Sequence, residues 1–206
     1  MTSRVLFNLF FAFCLTAASA QTELLNIDFS TDTTSEWTPV GDATSGDASI
    51  RFDSTGGNAG GAMEISGTNS AGGVGRSYIW SLDFTVDPLS SADIIFSFDM
   101  KVTTALSSTA VHFLTSAPVV GANLFDIQNQ GLNATDWISV THTVTGVGVG
   151  ATSVNMQFQI AAGAVSGAGA GILIDNIVVQ QVPEPSTYAA ILSLLVLGFV
   201  VVKRRK

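Results

Sequence analysis

The sequence predicts an all-β protein, a two-sheet antiparallel β-sandwich with a signal peptide before it and a transmembrane helix after it. Three observations carry that expectation. Apolar and polar residues alternate with a period of two in run after run between residues 25 and 180. Gly- and Ser-rich segments separate those runs, and no amphipathic helix of useful length interrupts them. An apolar segment lies at each end of the 206 residues.

The N-terminal segment has the three parts of an export signal. Arg4 supplies a positive start, Val5 to Leu15 is apolar, and Ala18-Ser19-Ala20 offers small residues for cleavage. The apolar run is too short for an anchor. The mature chain is expected to begin after Ala20, at Gln21. Cys14 follows the bulky Phe13, which does not suit a lipid-attachment site, and it reads as an apolar residue of the discarded peptide.

The strands follow in order. From Tyr78 to Val86, one face carries Tyr78, Trp80, Leu82, Phe84 and Val86, and the other Ser81, Asp83 and Thr85. Ile94, Phe96, Phe98, Met100 and Val102 share a face opposite Ser97, Asp99 and Lys101. Ile138, Val140 and Val144 oppose Ser139, Thr141 and Thr143, and Val154, Met156, Phe158 and Ile160 oppose Asn155, Gln157 and Gln159. Ile172 to Val179 is apolar on both faces apart from Asp175 and Asn176, as a central or covered strand would be. The segments 56–61, 67–75 and 163–171 supply glycine for reversals. Gly146-Val147-Gly148-Val149-Gly150 has no Lys and no following helix, so it is no phosphate loop. Many short strands with regular turn signals suit a sandwich of jelly-roll type.

The C-terminal segment has a different order of parts. Pro183-Glu184-Pro185 is extended by its prolines. Residues 186–202 are uncharged, and as a helix would be about 26 Å long, enough for a thin bilayer core of roughly 27–30 Å. Lys203-Arg204-Arg205-Lys206 would hold that end in the cytoplasm. The expected organisation is a signal peptide at 1–20, a sandwich ectodomain at 21–181 and a tail at 182–206. The tail has its motif at 183–185, its membrane helix at 186–202 and its basic end at 203–206.

That tail resembles the PEP-CTERM sorting signal of bacterial surface and secreted proteins. The resemblance implies that Pro183, Glu184 and Pro185 are a processing motif for an exosortase, a membrane protease-transpeptidase. An ordinary single-pass anchor is the plainer alternative.

The ectodomain is also similar to galactose-binding-like jelly rolls, including many carbohydrate-binding modules. The similarity rests on Leu25-Asn26-Ile27-Asp28-Phe29-Ser30 with Glu36-Trp37 nearby. It continues through Tyr78-Ile79-Trp80, Ile95 to Asp99 and Asp136-Trp137-Ile138, and closes on Ile172 to Val179 with its Asp175-Asn176. It implies that the first and last strands lie side by side and hold a structural Ca²⁺, with Asp28 and Asp175 as the positions to test. Ser30 departs from the pattern, which often has Glu there. Asp175 is otherwise a buried acid bonded to strand backbone.

A sugar site needs an aromatic platform beside amide or carboxylate groups. Trp137 lies on the polar phase of its strand, and Asn155, Gln157 and Gln159 on the polar phase of theirs. If the two strands share a sheet, these four residues form one ligand-binding surface. Otherwise Trp137 packs under a loop and the amides are solvated. Trp80 reads as core, and Trp37 lines a loop-end site or plugs the sandwich.

The charge and motif content restrict the function. Between residues 21 and 181 there are 15 acidic residues and three basic ones, Arg51, Arg76 and Lys101, a net charge of −12. Such a surface repels nucleic acid. No cysteine follows Cys14, so neither a thiol nucleophile nor a disulfide is available there. His112 and His142 lack metal-ligand spacing, and His142 reads as half-buried; no Gly-x-Ser-x-Gly is present. Glu36, Glu64 and the many Asp residues single out no glycosidase pair. Asn133-Ala134-Thr135 matches a glycosylation sequon, a frequent chance match.

The expectation is an exported, non-catalytic protein of the cell surface or extracellular matrix. It would be held at the inner membrane as a precursor and would bind polysaccharide or serve the matrix. Its partners would be signal peptidase, an exosortase-type protease and a polysaccharide. The alternatives are a purely structural surface protein and a small carbohydrate-active enzyme.

Overall fold

The computed structural model describes residues 21–58, 60–86, 92–103, 111–117, 121–127, 130–147, 152–183 and 194–196. Eleven strands among them form two antiparallel sheets. They are β1 (Thr22–Ile27), β2 (Thr38–Gly41), β3 (Ala48–Asp53), β4 (Ala62–Asn69), β5 (Arg76–Thr85), β6 (Ala92–Val102), β7 (Val111–Ala117), β8 (Gly121–Asp126), β9 (Ile138–Val147), β10 (Ser153–Ala162) and β11 (Ala168–Pro183). The six-stranded sheet runs β3-β4-β11-β6-β9, with β1 also paired to β11. The five-stranded sheet runs β2-β5-β10-β7-β8. This is the expected all-β sandwich, and the doubly apolar run at 172–179 is a central strand. The first and last strands lie side by side, with Ile27 opposite Ile177.

The expected signal peptide at 1–20 lies outside the described residues, as do all but 194–196 of the expected membrane helix at 186–202. No helix among the described residues is long and apolar enough to cross a membrane. β11 runs through Val182 and Pro183, opposite Asp93 and Ala92, two residues past the expected limit of the ectodomain.

Alternation explains how these runs bury one face. In β10, Val154, Met156, Phe158 and Ile160 are buried while Asn155, Gln157 and Gln159 are half-buried on the outside. Phe96 of β6 reaches across to Phe113 of β7, and Phe98 to both Phe113 and Phe158, with ring centroids 5.0–5.2 Å apart. Such tilted and edge-on pairs add about 0.5–1.5 kcal/mol each beyond area burial. Trp80 and Tyr78 complete the core. Gly67 has a steric reason: a Cβ there would meet Cδ2 of Tyr78 at 2.3 Å, so only glycine lets that ring lie on β4.

Asn69 ties two loops at one end of the sandwich. It is fully buried, donates from Nδ2 to the carbonyls of Val74 (2.7 Å) and Gly163 (2.8 Å), and accepts from Gly72 N–H at 2.9 Å. Asn69→Ala leaves those three backbone groups without this partner. It is expected to lower stability by about 1–3 kcal/mol, read as a lower urea midpoint. A midpoint equal to wild type would show that the loops hold without it.

His142 is half-buried, as the alternation predicts, with Phe125 of β8 stacked on it at 4.4 Å and Phe113 edge-on at 6.0 Å. Burial lowers its pKa below the ordinary 6.5. The unfolded chain therefore takes up the proton first. The contribution of this site is complete above about pH 6.5 and declines as pH falls toward the folded pKa. His142→Phe should flatten the loss of melting temperature between pH 7 and 5. An unchanged slope would assign it to other groups.

Candidate ligand-binding faces

The outer face of the five-stranded sheet is set by the register of β5, β10 and β7. Asn155 lies opposite Asp83, Gln157 opposite Ser81, and Gln159 between Ile79 and His112. Gln157 donates from Nε2 to Asn155 Oδ1 at 2.5 Å, and Asn155 donates from Nδ2 to Asp83 Oδ1 at 2.7 Å. Gln159 donates from Nε2 to Ser77 Oγ at 2.5 Å. The relay ends on a carboxylate, whose charge strengthens the last bond. These bonds fix the orientation of the amides, and each amide nitrogen keeps a second N–H to offer a ligand. The register places no Phe, Trp or Tyr on this face among the described residues, so a ligand there is read by hydrogen bonds rather than by ring stacking.

Trp137 is not on this surface. It is half-buried immediately before β9, in phase with Ser139 and Thr141, and β9 is in the six-stranded sheet. The structure therefore separates Trp137 from Asn155, Gln157 and Gln159, which face outward on the opposite sheet. The expected four-residue surface does not form, because β9 and β10 belong to different sheets. Alternation assigns a residue to a face of its strand; it carries no information about which sheet the strand joins.

The outer face of the six-stranded sheet carries a polar cluster of its own. Asp99 of β6 accepts from Ser139 Oγ at 2.6 Å, Asn176 Nδ2 at 2.8 Å and Asn58 Nδ2 at 3.0 Å. Burial pushes the Asp99 pKa up, but those three donors outweigh it and hold the group below the ordinary carboxylate value. Asn176 reaches Asp99 because β11 shifts register between Asp175 and Val178, and Asn176 takes φ of 52°. Asn tolerates that conformation better than most residues. Beside the cluster, Arg51 of β3 pairs with the buried Glu64 of β4.

Asp175 and Asp28 occupy the positions that the resemblance assigns to calcium. Asp175 is buried, its Oδ2 accepts Asn58 N–H at 2.8 Å, and its Oδ1 accepts Asn176 N–H at 2.7 Å. Asp28 is exposed and accepts Ser30 N–H at 3.0 Å. No group of three or more His, Cys, Asp or Glu among the described residues could hold a metal ion. Each Asp175 oxygen already accepts one backbone N–H, which leaves it a single further lone pair to offer, and among the described residues no two further His, Cys, Asp or Glu side chains join it to complete a site. Calcium is expected to leave the melting temperature equal to that in chelator. A rise of several degrees would show that a site opens in the folded protein.

Trp37 plugs the sandwich, buried against Phe158 at 5.6 Å, and Trp80 is core. Gln21 is the first described residue and Pro183 ends β11, while Ala20, Glu184 and Pro185 lie outside the described residues. Asn133 accepts from Thr135 and Asp136 N–H groups, each at 2.8 Å, as a turn-forming residue does. Sequence reasoning did not single out Asp83, Ser77, Asn58 or Asp99 as site residues. Three sit on polar strand phases whose partners emerge only with the pairing, and Asn58 lies in a segment that composition marks as loop.

No protein-family model matches the chain, and no curated protein matches it. Solved structures do match in fold. TmCBM61, solved with β-1,4-galactotriose, shares 12% identity over 77% of this chain and 97% of its own, with a TM-score of 0.52. The xylan-binding domain CBM22-1 of Paenibacillus barcinonensis shares 15% over 81% of this chain and 99% of its own, with a TM-score of 0.50. A Stig cyclase of Fischerella, bound to an indole compound, shares 10% over 80% and 99%, with a TM-score of 0.55. The fold is thus a jelly-roll β-sandwich of the kind found in carbohydrate-binding modules, and also in a cyclase.

Proposed function

We propose that this chain is an exported, non-catalytic polysaccharide-binding protein whose tail hands it to an exosortase-type protease, and that it works at the cell surface or in the extracellular matrix. The observation that carries the binding reading is the in-register amide row Asn155, Gln157 and Gln159 on the outer face of the five-stranded sheet. Amides donate and accept at once, which suits the vicinal hydroxyls of a sugar. The fold shared with carbohydrate-binding modules supports the reading. The order of motif, apolar segment and basic end supports the sorting half.

The test of binding is pull-down of residues 21–182 on the exopolysaccharide of the producing cells. Saturable retention supports the proposal, and its absence sinks it. A second reading, a structural surface protein without a discrete ligand, is favoured by the absence of Phe, Trp and Tyr among the described residues of that face. It predicts no retention, or self-association. The test of sorting is mass spectrometry of the natively produced protein. Retention of Lys203–Lys206 in the presence of the protease would end that half of the proposal.

A further inference from the structure

The two ends of the mature chain meet at one end of one sheet. Thr22 of β1 lies opposite Gln181 of β11, and Glu23 opposite Gln180. On its other side β11 pairs with β6 through Gln180–Ile95, Gln181–Ile94, Val182–Asp93 and Pro183–Ala92. Gln181 is 3% exposed. Thr22, two residues past the expected signal-peptidase site, and Gln181, two residues before the motif, therefore lie on neighbouring strands, roughly 5 Å apart. No spacer separates sheet from motif, because Pro183 is both the last residue of β11 and the first of Pro-Glu-Pro.

A protease takes its substrate as an extended segment several residues long, often pairing with it as an added strand. Here the residues just before the motif already have their backbones engaged, on two sides at 180–181 and on one at 182–183. We propose that the sheet gates the sorting cut: the C-terminal end of β11 must come away from β1 and β6 before a membrane protease can take the motif. β1 is the weaker flank. Among the described strands it pairs with β11 alone, and its register shifts between Glu23 and Leu25. Pro183 has no N–H to add to the ladder, so the end opens from there. Opening of strand ends costs far less than global unfolding, so the gate slows the cut without forbidding it. The cut itself is ordinary amide cleavage, with water or an acceptor amine taking the acyl group. The gate rests on the sorting reading above and concerns access alone.

The test follows conversion of the full-length precursor to its trimmed form by pulse–chase in cells that carry the protease. One variant inserts six Gly/Ser residues between Val182 and Pro183. A second, Glu23→Cys with Gln180→Cys, clamps a facing pair whose Cα separation in an antiparallel ladder, about 4.5–5.5 Å, suits a disulfide. The mature chain has no other cysteine to compete. The spacer should speed trimming roughly fivefold or more, and the clamp should slow it by a similar factor until reduced. Wild-type rates in both variants would overturn the gate and leave the sorting reading standing. A wild-type precursor never trimmed would overturn the sorting reading, and the gate with it.

Discussion

Phe158→Ala is expected to lower the unfolding free energy by about 3–5 kcal/mol, the range for removing a large aromatic side chain from a packed core. Phe158 is fully buried on β10, with β5 on one side and β7 on the other. Its ring meets Phe98 at 5.0 Å, Phe113 at 5.4 Å and Trp37 at 5.6 Å. It thus joins both sheets and the plug at one point. Phe98 and Phe113 are paired strand residues, and a rigid ladder relaxes little around a void. A domain of this size has a total stability of roughly 5–15 kcal/mol, and no disulfide offsets the loss, since Cys14 is the only cysteine. Urea unfolding of residues 21–182 should show the midpoint falling with the slope unchanged. Phe158→Leu, which keeps part of the volume, should cost less. A loss under about 1 kcal/mol for the alanine variant would mean that the site collapses onto the void and the ring cluster does not organise the core.

The same residue shows what the sequence could reveal. Period-2 alternation placed Phe158, Phe96, Phe98 and Trp80 inside, because the pleat of a strand leaves a side chain only two faces to choose from. It also marked β11 as central, since a strand paired along both edges tends to read as a near-continuous apolar run. Alternation is a local signal, and sheet membership is not. β9 and β10 are consecutive in the chain but join different sheets, and that separated Trp137 from the amides it was expected to complement. Long-range contacts are equally hidden: Asn58, a loop residue 117 positions away in sequence, brings its N–H to the Asp175 carboxylate. No spacing rule reports a contact of that range. The bulge at Asn176 is a third case: its φ of 52° turns an amide toward Asp99, and only the pairing of β6 with β11 makes that visible.

The triple variant Asn155→Ala, Gln157→Ala, Gln159→Ala is expected to weaken retention on polysaccharide by about a hundredfold, while Trp137→Ala leaves it unchanged. The magnitude follows from hydrogen-bond energetics. A neutral hydrogen bond contributes about 0.5–1.5 kcal/mol net, and three near the middle of that range give about 3 kcal/mol, two decades in affinity. The direction follows from the sheet assignment, because the amides and Trp137 face opposite sides of the sandwich. Folding should survive the substitutions. The three side chains are half-buried on an outer face, and their bonds run to Asp83, Ser77 and one another rather than into the core. Isothermal titration with oligosaccharides cut from the retained polymer gives the affinities, and a thermal melt of each variant separates lost binding from lost fold. If Trp137→Ala abolishes binding and the triple variant does not, the ligand face is the six-stranded sheet. Asp99, Asn58 and Ser139 then become the groups to substitute next.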